Sequence, residues 1–188
     1  MKLQNQNPAL LLIDIQRGLD EEAYYGGNRN NRQAEANAQR ILERWRTLHL
    51  PIFHIQHSSQ HAESPLHRSR PGFAIKDEVK PQDNEPVLVK TVNSAFIGTN
   101  LKERLDQSGI TTLVIVGLTT NHCVSTTARM AGNFGYNVWL VSDATAAFDS
   151  VGINGEKYDA QTMHLTSLAS LNGEFAKVVD TEKLLSDA

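Results

Sequence analysis

"ITTLVIVGLTTNHCVSTTA", residues 110–128, combines two local patterns around the only cysteine of the chain. Residues 110–117 form a mainly apolar run, which is typical of a strand buried on both faces of a parallel sheet. Residues 122–134 are predicted to form a helix. Gly117 and the polar residues 119–121, which lie between the two elements, predict a tight turn. The stretch therefore predicts a strand–turn–helix unit with Cys123 in the first turn of its helix.

The same alternation of strand and helix continues on both sides of this unit. Strands are predicted at residues 9–15, 51–57, 86–90, 110–117, 137–144 and 176–180. Helices are predicted over residues 34–48, 101–109, 122–134 and 156–171, and from residue 181 onward. Residues 17–32 and 58–85 are predicted to be loops. We therefore expect one α/β domain, residues 1–188, in which helices cover both faces of a mainly parallel sheet.

The composition argues against several classes of partner. Of the 188 residues, 40% are hydrophobic and 21% are charged, with a formal net charge of -3, which gives no reason to expect nucleic acid or an anionic membrane as partner. The longest apolar runs have the length of strands rather than of membrane spans, and the first residues do not resemble a signal peptide. A single cysteine excludes an intrachain disulfide. We expect a soluble, cytoplasmic protein that binds a small molecule.

Sites in parallel α/β sheets form at the carboxyl ends of the strands. Asp14, His57, Lys90 and Cys123 lie at or just beyond such ends. A cysteine in an apolar setting is commonly only a small hydrophobic side chain. At a helix N-terminus, however, free N–H groups and the helix dipole favour the thiolate, and the same N–H groups can hold an oxyanion. Cys123 is thus a candidate nucleophile with its oxyanion hole in the same turn.

Asp14 and Lys90 each have an ordinary and a functional interpretation. Asp14 could cap a nearby helix or loop, and Lys90 could be a solvated lysine at the end of a strand. Alternatively, Asp14 accepts the proton of the thiol, and Lys90 keeps that carboxylate ionised and stabilises developing negative charge. Together with Cys123 they would form a set of nucleophile, base and cation.

Three motifs carry a resemblance to a known family. They are "LLLIDIQRGL" with Asp14, "VLVKTVNSAF" with Lys90, and "VGLTTNHCVSTTARMAGNFGYNVWLVSDATAAF" with Cys123. In order and spacing they resemble the isochorismatase-like cysteine hydrolases, which include nicotinamidases and N-carbamoylsarcosine amidases. The resemblance runs from Ala9 to about Asp180, and it implies a three-layer, Rossmann-like fold.

The resemblance also has implications for the site and the assembly. It implies a catalytic triad of Asp14, Lys90 and Cys123. It implies a cis peptide bond between Leu118 and Thr119, and an oxyanion hole made by the backbone N–H groups of Thr119 and Cys123. It further suggests a homodimer or a homotetramer.

The second predicted strand departs from the nicotinamidase pattern. Nicotinamidases carry Asp-x-His there as zinc ligands, whereas this chain reads "HIQHSSQH" and has no Asp. His54, His57, His61 and His67 form a sequence cluster that raises a metal hypothesis. In one strand, however, His54 and His57 would face opposite sides of the sheet. We therefore expect no metal ion and no other cofactor.

Five further residues are candidates for contact with the substrate. Gln16 is expected on the same strand face as Asp14 by the period of two, where it would either orient Asp14 or line the pocket, and His57 ends its strand. Phe96, Asn121 and His122 are the others; helix capping is an equal alternative for Asn121 and His122, and a surface position is a further alternative for His122. Tyr24 and Tyr25 are candidate pocket walls, and His164 is expected to be a hydrogen-bonded structural histidine.

The sequence therefore predicts a metal-independent cysteine hydrolase that cleaves a C–N bond of a small amide, ureide or carbamoyl compound through a thioester. Isochorismatases proper resemble the fold but lack the cysteine, so Cys123 argues against vinyl-ether hydrolysis. The alternative is a non-catalytic binding or interaction protein that retains the fold. A redox-responsive thiol is disfavoured because no second cysteine could resolve a sulfenic acid. The identity of the substrate does not follow from the sequence.

Overall fold

A six-stranded sheet forms the centre of the molecule in the computed structural model, which describes residues 3–188. Its strands are β1 (Ala9–Ile13), β2 (Ile52–His57), β3 (Val87–Lys90), β4 (Thr112–Leu118), β5 (Asn137–Ala146) and β8 (Lys177–Val179). Their order is β3-β2-β1-β4-β5-β8, and every neighbouring pair is parallel. The short strands β6 (Ser150–Val151) and β7 (Lys157–Tyr158) form a separate antiparallel hairpin. The predicted parallel sheet is confirmed.

Helices cover both faces of this sheet. They are α1 (Ala34–Thr47), α2 (Leu101–Gln107), α3 (Ser125–Asn133), α4 (Ala160–Leu171) and α5 (Thr181–Asp187). One apolar cluster packs α2, α3 and α4 on the face of β1 that carries Leu11 and Ile13. A second cluster packs α1 and α5 on the face that carries Leu10 and Leu12. No helix within residues 3–188 is both long enough and apolar enough to cross a membrane.

Two predicted boundaries are wrong for local reasons. Strand β1 ends at Ile13 rather than at residue 15, because Asp14 has a φ of 50° and leaves the extended conformation. Helix α4 begins at Ala160 rather than at residue 156, since the side chain of Asp159 caps it by accepting a hydrogen bond from the N–H of Thr162. The residues just before this cap belong to the β6–β7 hairpin.

A buried ion group attaches the two long loops to α1. The carboxylate of Glu35, in the first turn of α1, accepts hydrogen bonds from Arg29 Nη1 (2.7 Å) and Lys76 Nζ (2.6 Å). Burial by itself would raise the pKa of Glu35. The positive charges of Arg29 and Lys76 outweigh this effect and hold the pKa of Glu35 at about 2. Arg29 belongs to the loop after β1 and Lys76 to the loop after β2. Both loops are thereby fixed near the carboxyl ends of the strands.

Two histidines are buried inside this fold and hydrogen-bonded there. His54 Nε2 lies 2.9 Å from Glu85 Oε2, and His164 Nδ1 lies 2.8 Å from Thr120 Oγ1. The structural role predicted for His164 is consistent with this contact. Burial lowers the pKa of both imidazoles, and it also lowers the pKa of His57. All three side chains are therefore favoured in the neutral form when the chain folds.

Acidification should consequently destabilise the protein before the carboxylates titrate. In the unfolded chain histidine has a pKa of about 6.5, so the unfolded state gains protons first as the pH falls. The stability contributed by neutral histidines is complete above that pH and is lost progressively below it. We expect the thermal midpoint to fall between pH 7.5 and pH 5.5, as measured by calorimetry.

A matched pair of variants tests the assignment of this pH effect. His164→Asn should flatten the dependence of the midpoint on pH, because one buried imidazole is removed. His61→Gln should leave the slope unchanged, since His61 is exposed. Equal slopes in the wild type and in His164→Asn would contradict the explanation.

Candidate active site

The parallel sheet brings the three candidate catalytic residues together at its carboxyl edge. Asp14 directly follows β1, Lys90 ends β3, and Cys123 lies in the turn after β4. Lys90 Nζ donates to Asp14 Oδ2 at 2.7 Å and to Cys123 Sγ at 3.3 Å. Asp14 and Lys90 are only 2% and 1% exposed. The two buried charges therefore compensate each other directly beneath the thiol.

His57 is the third hydrogen-bond partner of the Lys90 ammonium group. Its Nδ1 lies 3.1 Å from Lys90 Nζ, so that Asp14, His57 and Cys123 provide one acceptor for each of the three ammonium protons. Burial lowers the pKa of His57, and the charge of Lys90 lowers it further. The imidazole is therefore neutral and accepts at Nδ1, with its proton on Nε2.

Desolvation controls the protonation of the Cys123 thiol. Burial raises its pKa well above the usual value, the carboxylate of Asp14 raises it further, and Lys90 opposes both effects. The expectation that the helix N-terminus would favour a resting thiolate is thus corrected, because burial outweighs the local field. A protonated thiol requires a base during attack, and the carboxylate of Asp14 lies within 4.8 Å of Sγ.

The turn that carries the thiol differs from the predicted helix start. The peptide bond between Leu118 and Thr119 is cis, at the position implied by the resemblance. Thr120–Val124 then form a wide π-helical turn, which closes when the N–H of Val124 donates to the carbonyl of Thr119 at 3.3 Å. Helix α3 begins only at Ser125, so Cys123 lies in the π-helical turn and not in a regular helix.

Gly117 permits the close approach of this turn to β1. Its φ is 122°, and a Cβ atom at this position would lie 2.0 Å from the carbonyl oxygen of Ile13. Any other residue would therefore push β4 away from β1, the strand that Asp14 directly follows. The glycine thus contributes to the short distances between the catalytic candidates.

A cavity of about 410 Å³ opens above these residues. Six predicted site residues line it: Asp14, His57, Thr119, Asn121, His122 and Cys123. The remaining polar lining consists of Ser59, Ser64, Asn93, Asp149 and Ser150, and the apolar lining consists of Leu19, Tyr25, Leu66, Leu118 and Phe148. The cavity combines a polar end at the thiol with an extended apolar wall.

Two residues predicted to contact the substrate, Gln16 and Phe96, do not line the cavity. Gln16 is fully buried and does not line the cavity; its Oε1 accepts the N–H of His57 at 2.8 Å, and its Nε2 donates to the carbonyls of His57 (3.0 Å) and Phe73 (2.8 Å). Gln16 therefore positions His57 and holds the loop after β2. Phe96 belongs to an apolar cluster, where its ring packs on Phe134 and Tyr136, and it does not reach the cavity.

Several cavity residues were missed in the sequence. Asn93, whose Oδ1 lies 3.8 Å from Cys123 Sγ, stands three positions after Lys90 inside a motif that was already recognised. Phe148, Asp149 and Ser150 follow β5, so the rule of carboxyl strand ends could have identified them. Of the two predicted tyrosine walls, Tyr25 lines this cavity, whereas Tyr24 does not.

The histidine cluster of the second strand does not assemble into a metal site. His54 is buried against Glu85, and the only group of potential metal ligands among residues 3–188 is Asp14, His57 and Cys123, whose ligand atoms lie within 4.8 Å of one another. Lys90 Nζ already donates a hydrogen bond to each of the three. The ammonium therefore takes the position between these ligands, and the arrangement does not fit a metal ion beside it.

The sequence of this chain matches a known protein family. Residues 8–183, which include the whole cavity lining, match the family model of the isochorismatase domain. The uncharacterized isochorismatase family protein YrdC of Bacillus subtilis (strain 168) is 50% identical over 182 residues, or 97% of this chain and 96% of that protein. Nicotinamidase 3 of Arabidopsis thaliana is 34% identical over 112 residues, or 58% of this chain and 51% of that protein.

The fold also has a similar counterpart among solved structures. The crystal structure of an isochorismatase-family protein from Chromobacterium violaceum ATCC 12472 matches with a TM-score of 0.94 at 38% identity. The match covers 100% of this chain and 96% of that chain. The parallel sheet and its surrounding helices are thus shared over the whole length.

Proposed function

The chain belongs to the isochorismatase family of hydrolases, and we propose that it hydrolyses the C–N bond of a small amide, ureide or carbamoyl compound through a thioester on Cys123. The contact of Lys90 Nζ with both Asp14 Oδ2 and Cys123 Sγ supports this proposal most directly. It joins a nucleophile, a base and a cation at the floor of one cavity. The similarity to a nicotinamidase is consistent with amide chemistry.

Acylation begins with the attack of Cys123 Sγ on the carbonyl carbon of the substrate. The thiol proton passes to Asp14, whose Oδ1 is buried and has no hydrogen-bond partner among residues 3–188. The backbone N–H groups of Thr119 and Cys123 hold the oxyanion. When the C–N bond breaks, Asp14 returns the proton to the leaving nitrogen, and an acyl thioester and a free amine result.

Deacylation reverses these roles with water as the nucleophile. Asp14 takes a proton from a water molecule while the oxygen of that water attacks the thioester carbonyl. The C–S bond then breaks, the proton returns to sulfur, and the carboxylic acid is released. Between the two steps the Lys90 ammonium stays paired with Asp14, and it stabilises the thiolate during its departure from the acyl carbon.

Release of ammonia or amine from a panel of small amides tests this function. We expect turnover of at least one class of amide by the wild type and a mass increase on the protein when the thioester is trapped by acid. Turnover without any trapped adduct, and undiminished in Cys123→Ala, would contradict the covalent mechanism. Binding without turnover across the panel would favour the alternative of a non-catalytic binding protein.

Chelators should leave this activity unchanged. The physical reason is that the Lys90 ammonium already interacts with the three potential ligands of the site. Activity should be equal before and after dialysis against EDTA, with elemental analysis of the same sample. Stoichiometric zinc that is lost together with activity, and that restores activity when added back, would overturn the metal-independent mechanism.

We also propose that the protein forms a homodimer or homotetramer. Support comes from β3, an edge strand whose side chains Val87 and Val89 are exposed. Sedimentation should show a species larger than the 20.8 kDa monomer. A monomer at micromolar concentration would contradict this prediction.

A further inference from the structure

The walls of the cavity carry negative charge without a matching cation. Two carboxylates line the cavity, Asp14 and Asp149, and no lysine or arginine among residues 3–188 does. Lys90 compensates Asp14 from below at 2.7 Å. Within the described part of the chain, Asp149 accepts hydrogen bonds only from neutral groups, the N–H of Ala160 at 2.8 Å and Asn28 Nδ2 at 2.9 Å. The net charge that a bound molecule meets is therefore negative.

Protonated histidine does not supply the missing positive charge at neutral pH. Burial and the charge of Lys90 lower the pKa of His57, and burial lowers the pKa of His122, the other imidazole in the cavity lining. A substrate with a carboxylate would thus lose its hydration without gaining a cationic partner, and it would be repelled by Asp149. A neutral or cationic substrate avoids this cost.

The apolar wall indicates the shape of the substrate. Tyr25 and Phe148 stack with their ring centres 5.2 Å apart and their planes at 22°, and both line the cavity. Leu19, Leu66 and Leu118 extend this surface. A planar apolar body fits such a wall better than a flexible polar chain, since it loses little conformational entropy on binding.

An unsatisfied acceptor indicates the polar group that is recognised. Asn121 Oδ1 is buried in the cavity wall and accepts no hydrogen bond from any residue that the structure describes. A buried acceptor without a donor is costly, and a ligand N–H removes that cost. Asn121 lies two residues before the thiol, so this N–H belongs to the part of the substrate near the reacting carbon.

We propose that the site takes an uncharged or cationic amide with a planar apolar body, that Asn121 Oδ1 accepts its N–H, and that Asp149 excludes amides carrying a carboxylate. This inference rests on the proposed function, because it concerns the substrate of the same cavity. It adds to that function a charge preference that the catalytic residues alone do not determine.

Binding of three matched amides to Cys123→Ala tests the inference independently of turnover. Benzamide, 4-(aminomethyl)benzamide and 4-carboxybenzamide share one body and differ in charge. By calorimetry, the neutral and cationic amides should bind at least about tenfold more tightly than the carboxylate. Equal or tighter binding of the carboxylate would overturn the charge preference, and no binding of any of the three at millimolar concentration would overturn the substrate class.

Variants of the wall assign the preference to its charge. Asp149→Asn keeps an oxygen for the N–H of Ala160 and should raise the affinity for 4-carboxybenzamide towards that for benzamide. Ser59→Lys adds a cation to the wall and should change the affinities in the same direction. Ser170→Lys adds the same charge at an exposed position on α4 and should have no effect. Unchanged selectivity in both wall variants would contradict the role of Asp149.

The position of the N–H contact is tested by two further variants. Asn121→Asp retains the acceptor and adds charge, whereas Asn121→Leu removes the acceptor. We expect the affinity for benzamide to fall in Asn121→Leu and to be retained in Asn121→Asp. If ammonia release in the wild type equals that in Cys123→Ala, the proposed function fails; the binding pattern decides the inference separately.

Discussion

Replacing Cys123 by alanine should lower turnover of any amide substrate by roughly 10⁴- to 10⁶-fold, the range seen when one member of a catalytic triad is removed. The physical reason is that none of the other described side chains of the cavity offers a comparable nucleophile beside both a carboxylate and an ammonium. The fold should persist, because Cys123 is half-buried and packs only at the edge of its apolar cluster.

The single cysteine makes the measurement of this effect unambiguous. Any thioester detected by intact-mass spectrometry must be on Cys123, since the chain has no other thiol. Cys123→Ser serves as the control for shape, because it keeps a small polar atom at the position of sulfur; it should also be inactive, without the mass adduct. Ammonia release by Cys123→Ala within tenfold of the wild type would exclude the thiol as nucleophile.

The sheet could be predicted from the sequence because burial on both faces leaves a local signal. In β1, Leu10 and Leu11 belong to opposite apolar clusters, so every residue of the strand is apolar. Once the strands are known, their parallel arrangement places Asp14 and Lys90 at one edge. These inferences need only chain order and the chemistry of each residue.

The errors arose where a local rule was extended beyond its element. The alternation of a strand predicts Gln16 on the same face as Asp14, but the strand ends at Ile13, and the φ of 50° at Asp14 breaks the alternation. The protonation of Cys123 is likewise a tertiary property, because burial by several segments outweighs the field of one turn. The cavity wall at Phe148 depends on loops that meet only in the folded chain.

Replacing Asp14 by asparagine should have two separate effects. Turnover should fall by about 10²- to 10⁴-fold, because an amide cannot accept the proton of the thiol. Stability should fall by about 3–5 kcal/mol, since the buried ammonium of Lys90 loses its carboxylate and remains without a counter-ion. Steady-state kinetics and denaturant titration measure the two effects independently.

The double variant Asp14→Asn/Lys90→Met separates catalysis from stability. Removing both charges eliminates the unpaired ammonium, so much of the lost stability should return, because replacing a whole buried ion pair by uncharged groups is often neutral. Activity should not return, since both the proton acceptor and the cation are missing. If the double variant regains turnover along with stability, the loss in Asp14→Asn was structural and Asp14 is not the base. If Asp14→Asn alone keeps turnover within tenfold of the wild type, the proton from Cys123 passes to another acceptor.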